Sequence, residues 1–126
     1  MARLRNRLGN VQLQVLKVLW RRGAATAREI TDELSETVPM ALSTVQTLLR
    51  QLEAKGAVFH THEERAFVFQ PVWEETEVAQ GAARDLLDRV FEGSAFGMVS
   101  YLLRNERISP EELRQLRELI DEKGGE

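Results

Sequence analysis

The chain has 126 residues, a formal net charge of −3, 43% hydrophobic and 29% charged residues, and no cysteine. That length suits one domain, or one domain with a small appendage, and the balance is ordinary for a folded soluble protein. The missing cysteines exclude disulfides, thiolate metal sites and a thiol nucleophile; no run reaches the roughly 18 apolar residues of a membrane span, and MARLRNRLGN lacks an apolar signal core, so cytoplasmic residence without membrane insertion is expected.

The average charge hides a division. Residues 1–73 hold ten Lys/Arg against seven Asp/Glu, net +3, and residues 74–126 hold seven against thirteen, net −6. A mildly basic part joined to an acidic one suits a DNA reader with a separate protein-contact module, and a polyanion responds to the charge of the domain that meets it.

Arg3, Arg5 and Arg7 alternate through the first residues, either as a solvated end or as an arm touching phosphates, with Arg3 the candidate contact. Asn10 is a candidate cap for a first helix carrying Val11, Val15, Leu16, Val18, Leu19 and Trp20, stopped by Arg21-Arg22-Gly23. Trp20 reads as a packing residue. Thr26 caps a second short helix, AREITDELSE, whose Ile30 and Leu34 face inward and which Thr37-Val38-Pro39 breaks, since proline disfavours helix at the residue before it.

Residues 40–56, MALSTVQTLLRQLEAKG, organise the rest. Leu42, Val45, Leu48, Leu49 and Leu52 recur at three- and four-residue steps and share one helical face. Ser43, Thr47 and Arg50 fall near the opposite side, flanked by Thr44, Gln46 and Gln51, and no acid appears until Glu53. Hydroxyls, amides and an arginine can bond base edges and phosphates, and a face without carboxylates does not repel a polyanion. An uncharged solvent face is the plainer alternative. Three helices with short connectors, the last polar outside, make a helix-turn-helix.

After Gly56 the period changes to two. AVFHT and AFVFQP read as strands joined by His62-Glu63-Glu64-Arg65, with Phe59, Phe67 and Phe69 supplying the aromatic weight. A lone two-stranded hairpin is marginal in water, so this one must pack on the helices. His60 and His62, the only histidines, point the same way on a strand and read as a surface pair rather than a metal site. Arg65 lies at the tip, where a wing could reach backbone or minor groove, although Glu63 and Glu64 beside it oppose that.

From Glu74 the helical period returns. Val78, Ala82, Leu86, Leu87, Val90 and Phe91 form one stripe; Gly93-Ser94 interrupts it; Phe96, Met98, Val99, Leu102 and Leu103 form a second. Ser109-Pro110-Glu111-Glu112 opens a last helix with Leu113, Leu116, Leu119 and Ile120, ended by Gly124-Gly125. Some 50 residues of short helices cannot bury this apolar surface alone. A second copy is the economical cover, through Leu87, Val90, Phe91, Phe96, Val99, Leu102, Leu103, Leu113, Leu116 and Ile120. The expected fold is therefore mostly α with a small β-hairpin: a winged helix-turn-helix domain over 1–73, then a helical dimerisation domain over 74–126.

The order and spacing of LGNVQLQVLKVLW, AREI, STVQTLLRQLEAKGAV, FVFQPV and RNERISPEELRQLRELI resemble, nearly end to end, the penicillinase-repressor family of bacterial winged-helix repressors. The resemblance implies a homodimer on double-stranded DNA that binds a palindromic operator of TACA/TGTA type and blocks transcription. It implies recognition-helix contacts from positions matching Ser43, Thr44, Gln46, Thr47 and Arg50. In the antibiotic-responsive members a membrane sensor protease triggers cleavage in the C-terminal region at an Asn-Phe bond. This chain reads Tyr101-Leu102 there, so the cleavage mechanism does not carry over residue by residue. The cysteine cluster of copper-responsive relatives is absent too.

Three other functions compete. An enzyme lacks support: there is no glycine-rich phosphate loop, no nucleophile with a base, no carboxylate pair in an apolar setting, and neither a catalytic residue, a metal site nor a cofactor is expected. A winged helix can instead be a protein-interaction module that does not bind DNA. It can also be a ligand-responsive regulator, with an effector held near Phe91, Phe96 and Met98.

Overall fold

In the computed structural model, which describes residues 8–125, apolar periodicity becomes nine elements. They are α1 (Asn10–Arg22), β1 (Ala25–Thr26), α2 (Ala27–Leu34), α3 (Leu42–Ala54), β2 (Val58–Glu63), β3 (Ala66–Pro71), α4 (Glu75–Val90), α5 (Ala95–Asn105) and α6 (Pro110–Gly124). The chain divides into two units, Met1–Asp85 and Leu86–Glu126.

The first unit is built on one core. Val15, Leu16, Val18 and Leu19 of α1 meet Ile30 of α2 and Val45, Leu49 and Leu52 of α3, all with no exposed surface. Phe69 from β3, then Trp73 and Val78, close the cluster, so the core continues into the start of α4. Trp20 does more than pack: its indole N–H donates to the Trp73 carbonyl at 2.9 Å. The Ala57 carbonyl accepts from the N–H groups of both Val72 and Trp73, at 2.8 and 3.2 Å. Together these bonds fix where the chain leaves the sheet.

Local chemistry sets the ends of the helices. Asn10 is not the cap of α1 but its first residue. Extended Gly9 holds the cap position, and its N–H donates to the Gln12 side-chain oxygen at 3.2 Å, so Gln12 does the work expected of an Asn side chain. Gly23, at φ 82°, ends α1 in the left-handed region, and Gly56, at φ 81°, does the same after α3. Helix α2 stops at Leu34, two residues before its sequence pattern ends. Its cap residue Ser35 instead bonds both backbone groups of Met40 at 3.3 Å, a local side-chain bond that competes with continued helix.

The sheet is larger than a hairpin. Ala25 and Thr26 pair with Phe69 and Val68, giving three antiparallel strands in the order β1-β3-β2. Two residues carry no readable period, which is why β1 is invisible in the pattern. The hairpin is also tighter than a four-residue connection: His62 and Glu63 pair with Phe67 and Ala66, leaving Glu64-Arg65 as the turn. Glu64 adopts φ 55°, uncommon for a residue other than glycine.

Where β1 passes into α2, Thr26 forms a reciprocal capping box. Its hydroxyl accepts from the Glu29 N–H at 3.1 Å, and its own N–H donates to the Glu29 carboxylate at 2.8 Å. That backbone bond, with Arg22 nearby, holds the Glu29 carboxyl below its ordinary value of 4.5. Arg21 and Arg22 do the same for Glu33. Depressed carboxyls stabilise the fold fully above their ordinary value and lose that contribution as pH falls through the lowered one. Thr26→Ala should cost about 1 kcal/mol in urea unfolding at pH 7. Glu29→Gln should shrink the loss of stability seen below pH 4.5, and an unchanged acid limb would contradict the role given to this box.

Candidate nucleic-acid interface

Burying Val45, Leu49 and Leu52 forces the other side of α3 outward. Ser43, Thr44, Gln46, Thr47, Arg50 and Gln51 are all exposed. They are not equally free. The Thr47 hydroxyl donates to the Ser43 carbonyl at 3.0 Å and accepts from the Arg50 guanidinium at 3.2 Å, so the residue offers its methyl group. Gln51 accepts from the Gln12 amide at 2.8 Å, which ties it to α1 and away from the outer face of α3. Gln46 keeps an uncommitted amide among the described residues. Arg3 lies outside them.

Arg65 stands in the turn of the hairpin, and with Gln46 and Arg50 it borders one groove. This depression, about 640 Å³, runs between the start of α2, the Gln46–Arg50 side of α3 and one face of the hairpin. Sequence reasoning missed its other polar walls: Arg28 on α2, Glu53 on α3, and His60 and His62 on β2. The register explains the histidines. His60 lies opposite Phe69 and His62 opposite Phe67, so four rings share one face, with centroids 4.6–5.4 Å apart. The Nδ1 of His60 sits 2.8 and 2.9 Å from the two carboxylate oxygens of Glu53. The alternation at 60 and 62 was the available signal, but it said nothing of the face opposite.

Among the described residues, no group of three His, Asp or Glu could hold a metal ion. No described helix is long and apolar enough to cross a membrane.

The second unit has a different surface. Ser94 caps α5 by accepting from the Gly97 N–H at 2.9 Å, and Ser109 caps α6 by accepting from Glu112 at 3.1 Å. Leu87, Phe91, Leu113 and Leu116 are half-buried. Val90, Phe96, Val99, Leu102, Leu103 and Ile120 are exposed, together with Leu86, Tyr101 and Leu119. Phe96 is 81% exposed. The Tyr101-Leu102 bond lies inside α5, in hydrogen-bonded helix.

Comparison with known proteins agrees with this geometry. The family model described as Penicillinase repressor matches residues 8–122. The penicillinase repressor of Bacillus licheniformis is 32% identical over 115 residues, 91% of this chain and 90% of that one. The transcriptional regulator BlaI of Mycobacterium tuberculosis is 31% identical over 123 residues, 97% of this chain and 88% of that one. Among solved structures, the DNA-binding domain of the repressor BlaI is similar at a TM-score of 0.52 and 35% identity, across 56% of this chain and 87% of that one. A winged helix-turn-helix whose third helix carries no acid before Glu53, matched along nearly its whole length, therefore belongs to the penicillinase repressor family of DNA-binding transcriptional repressors.

Proposed function

We propose that the protein binds a palindromic operator as a homodimer in the cytoplasm and blocks transcription by occupying it, acting by binding rather than by catalysis. The observation that carries this reading is the outer face of α3: five exposed polar residues, from Ser43 to Arg50, with no carboxylate among them. Ser43, Thr44, Gln46 and Thr47 occupy the first half of the helix, the part of a recognition helix that approaches base edges. Arg50, a turn later, reaches a guanine or a phosphate, and Arg65 at the wing tip serves as a backbone contact alongside Arg3.

A second copy covers the apolar faces of α4, α5 and α6, because a monomer rarely presents so many large apolar side chains to water, Phe96, Leu119 and Ile120 among them. Residues 74–126 act as the dimerisation module, with the start of α4 shared with the DNA-binding core through Val78. Release by a membrane sensor protease is the induction route the family resemblance offers. In this chain the corresponding bond is Tyr101-Leu102, and α5 must open before any protease can seat it.

In a runoff transcription assay on the gene's own upstream region, added protein should silence a promoter carrying the palindrome and leave one with a scrambled palindrome active. Equal activity on both templates at saturating protein would overturn the repressor reading.

A further inference from the structure

Beyond Arg50, the groove beside α3 holds charged groups that the recognition of bases does not use. Its charged and titratable lining comprises Arg28 from α2, Arg50 and Glu53 from α3, His60 and His62 from β2, and Arg65 from the turn. Three arginines face one acid, and that acid is held by His60. Among the described residues neither Arg28 nor Arg65 has an ion-pair or hydrogen-bond partner, although Arg21, Arg22 and Arg114 all do. Unpaired cations converging on a recess next to a DNA-reading helix are placed for an anion.

We propose that this groove seats the DNA backbone, with Arg28 and Arg65 as phosphate contacts and with His60 and His62 setting its charge. The inference rests on the repressor reading above and adds to it a proton-linked contact. A carboxylate only accepts, so the Nδ1 of His60 carries its hydrogen toward Glu53 and Nε2 is the nitrogen that gains a proton. His62 has no polar partner among the described residues; its ring meets only Phe67, at 5.0 Å. Imidazole is the side chain whose charge changes between pH 5 and 8. Protonating both histidines would take the groove from a net of two positive charges to four without moving any element. Added positive charge beside a phosphate strengthens binding, so by linkage DNA affinity rises as pH falls and DNA binding draws in protons.

The test uses the full chain and a duplex carrying the palindrome at fixed salt. Affinity should rise about tenfold from pH 8 to pH 5.8, which corresponds to an uptake averaging about half a proton across that interval. In the His60→Gln/His62→Gln double variant the plot of affinity against pH should be flat. The α-amino group also titrates near this range, but it is common to both proteins and cancels in the comparison. Arg28→Gln should lower the slope of log affinity against log salt by about 0.9 on every sequence tested. Circular dichroism at both pH values confirms that each variant is folded. The two histidines are also the only ones in the chain, so their imidazole resonances can be followed directly. They should titrate at higher pH in the complex than in the free protein. A flat response in the wild type, or an equal rise in the double variant, overturns the groove proposal while leaving the repressor reading intact. No duplex binding at either pH overturns both.

Discussion

Leu102→Glu is expected to convert a homodimer into monomers and to weaken operator binding by about two to four orders of magnitude. Linking two reading heads makes the second half-site contact intramolecular, and losing that link gives up the avidity rather than any contact with DNA. Leu102 is the informative position because it is 42% exposed on α5 and so belongs to the surface proposed to meet a second copy. Leu116→Glu should give monomers too, but Leu116 is half-buried within its own unit, so a collapsed tail is an added outcome there. Sedimentation velocity on the Leu102 variant separates the cases. A monomer with a native circular dichroism spectrum is the expected result, and an unchanged dimer would show that this face is not the interface.

Gln46→Ala should cost about 1–3 kcal/mol on the preferred site and relax the preference at one base pair. The side-chain amide can bond adenine N6 and N7 together, and it is uncommitted in the folded protein. Thr47 differs: its hydroxyl donates to Ser43 and accepts from Arg50, so it can contribute a methyl against thymine but has no proton left to donate to a base. Replacing Arg65 should weaken all sequences alike, as expected of a backbone contact. Binding-site selection on the two variants distinguishes these behaviours. Uniform weakening by Gln46→Ala across all sequences would move this face of α3 off the bases.

Much of this architecture is legible in the sequence because the governing signals are periodic. The α3 stripe of Val45, Leu49 and Leu52 places its polar face without any structure, and the caps at Thr26 and Ser109 follow from short-range chemistry, whereas Ser94, read only as an interruption, also caps a helix. The family could also be read from the order of its segments, and the matching family model covers the same stretch. What stayed hidden depends on contacts distant in sequence. Strand β1 exists only because Phe69 and Val68 arrive beside Ala25 and Thr26. Gln51 looks like a DNA contact on a helical wheel, and the wheel does not show its bond to Gln12, 39 residues away. The Glu53–His60 pair and the groove they border likewise require the hairpin to fold back against α3. The cap of α1 was missed for a local reason: Gln12 bonds the Gly9 N–H by reaching backward, leaving Asn10 inside the helix.

The central claim is that α3 reads DNA as one half of a dimer, and a salt titration on a palindromic duplex tests it most directly. Binding of the full chain should saturate at two protomers per duplex. Log affinity should fall linearly with log salt, each phosphate neutralised contributing about −0.9 to the slope. A half-site duplex should bind far more weakly and with a shallower slope. Affinity independent of salt, or equal affinity for the half-site and the full palindrome, would contradict the account.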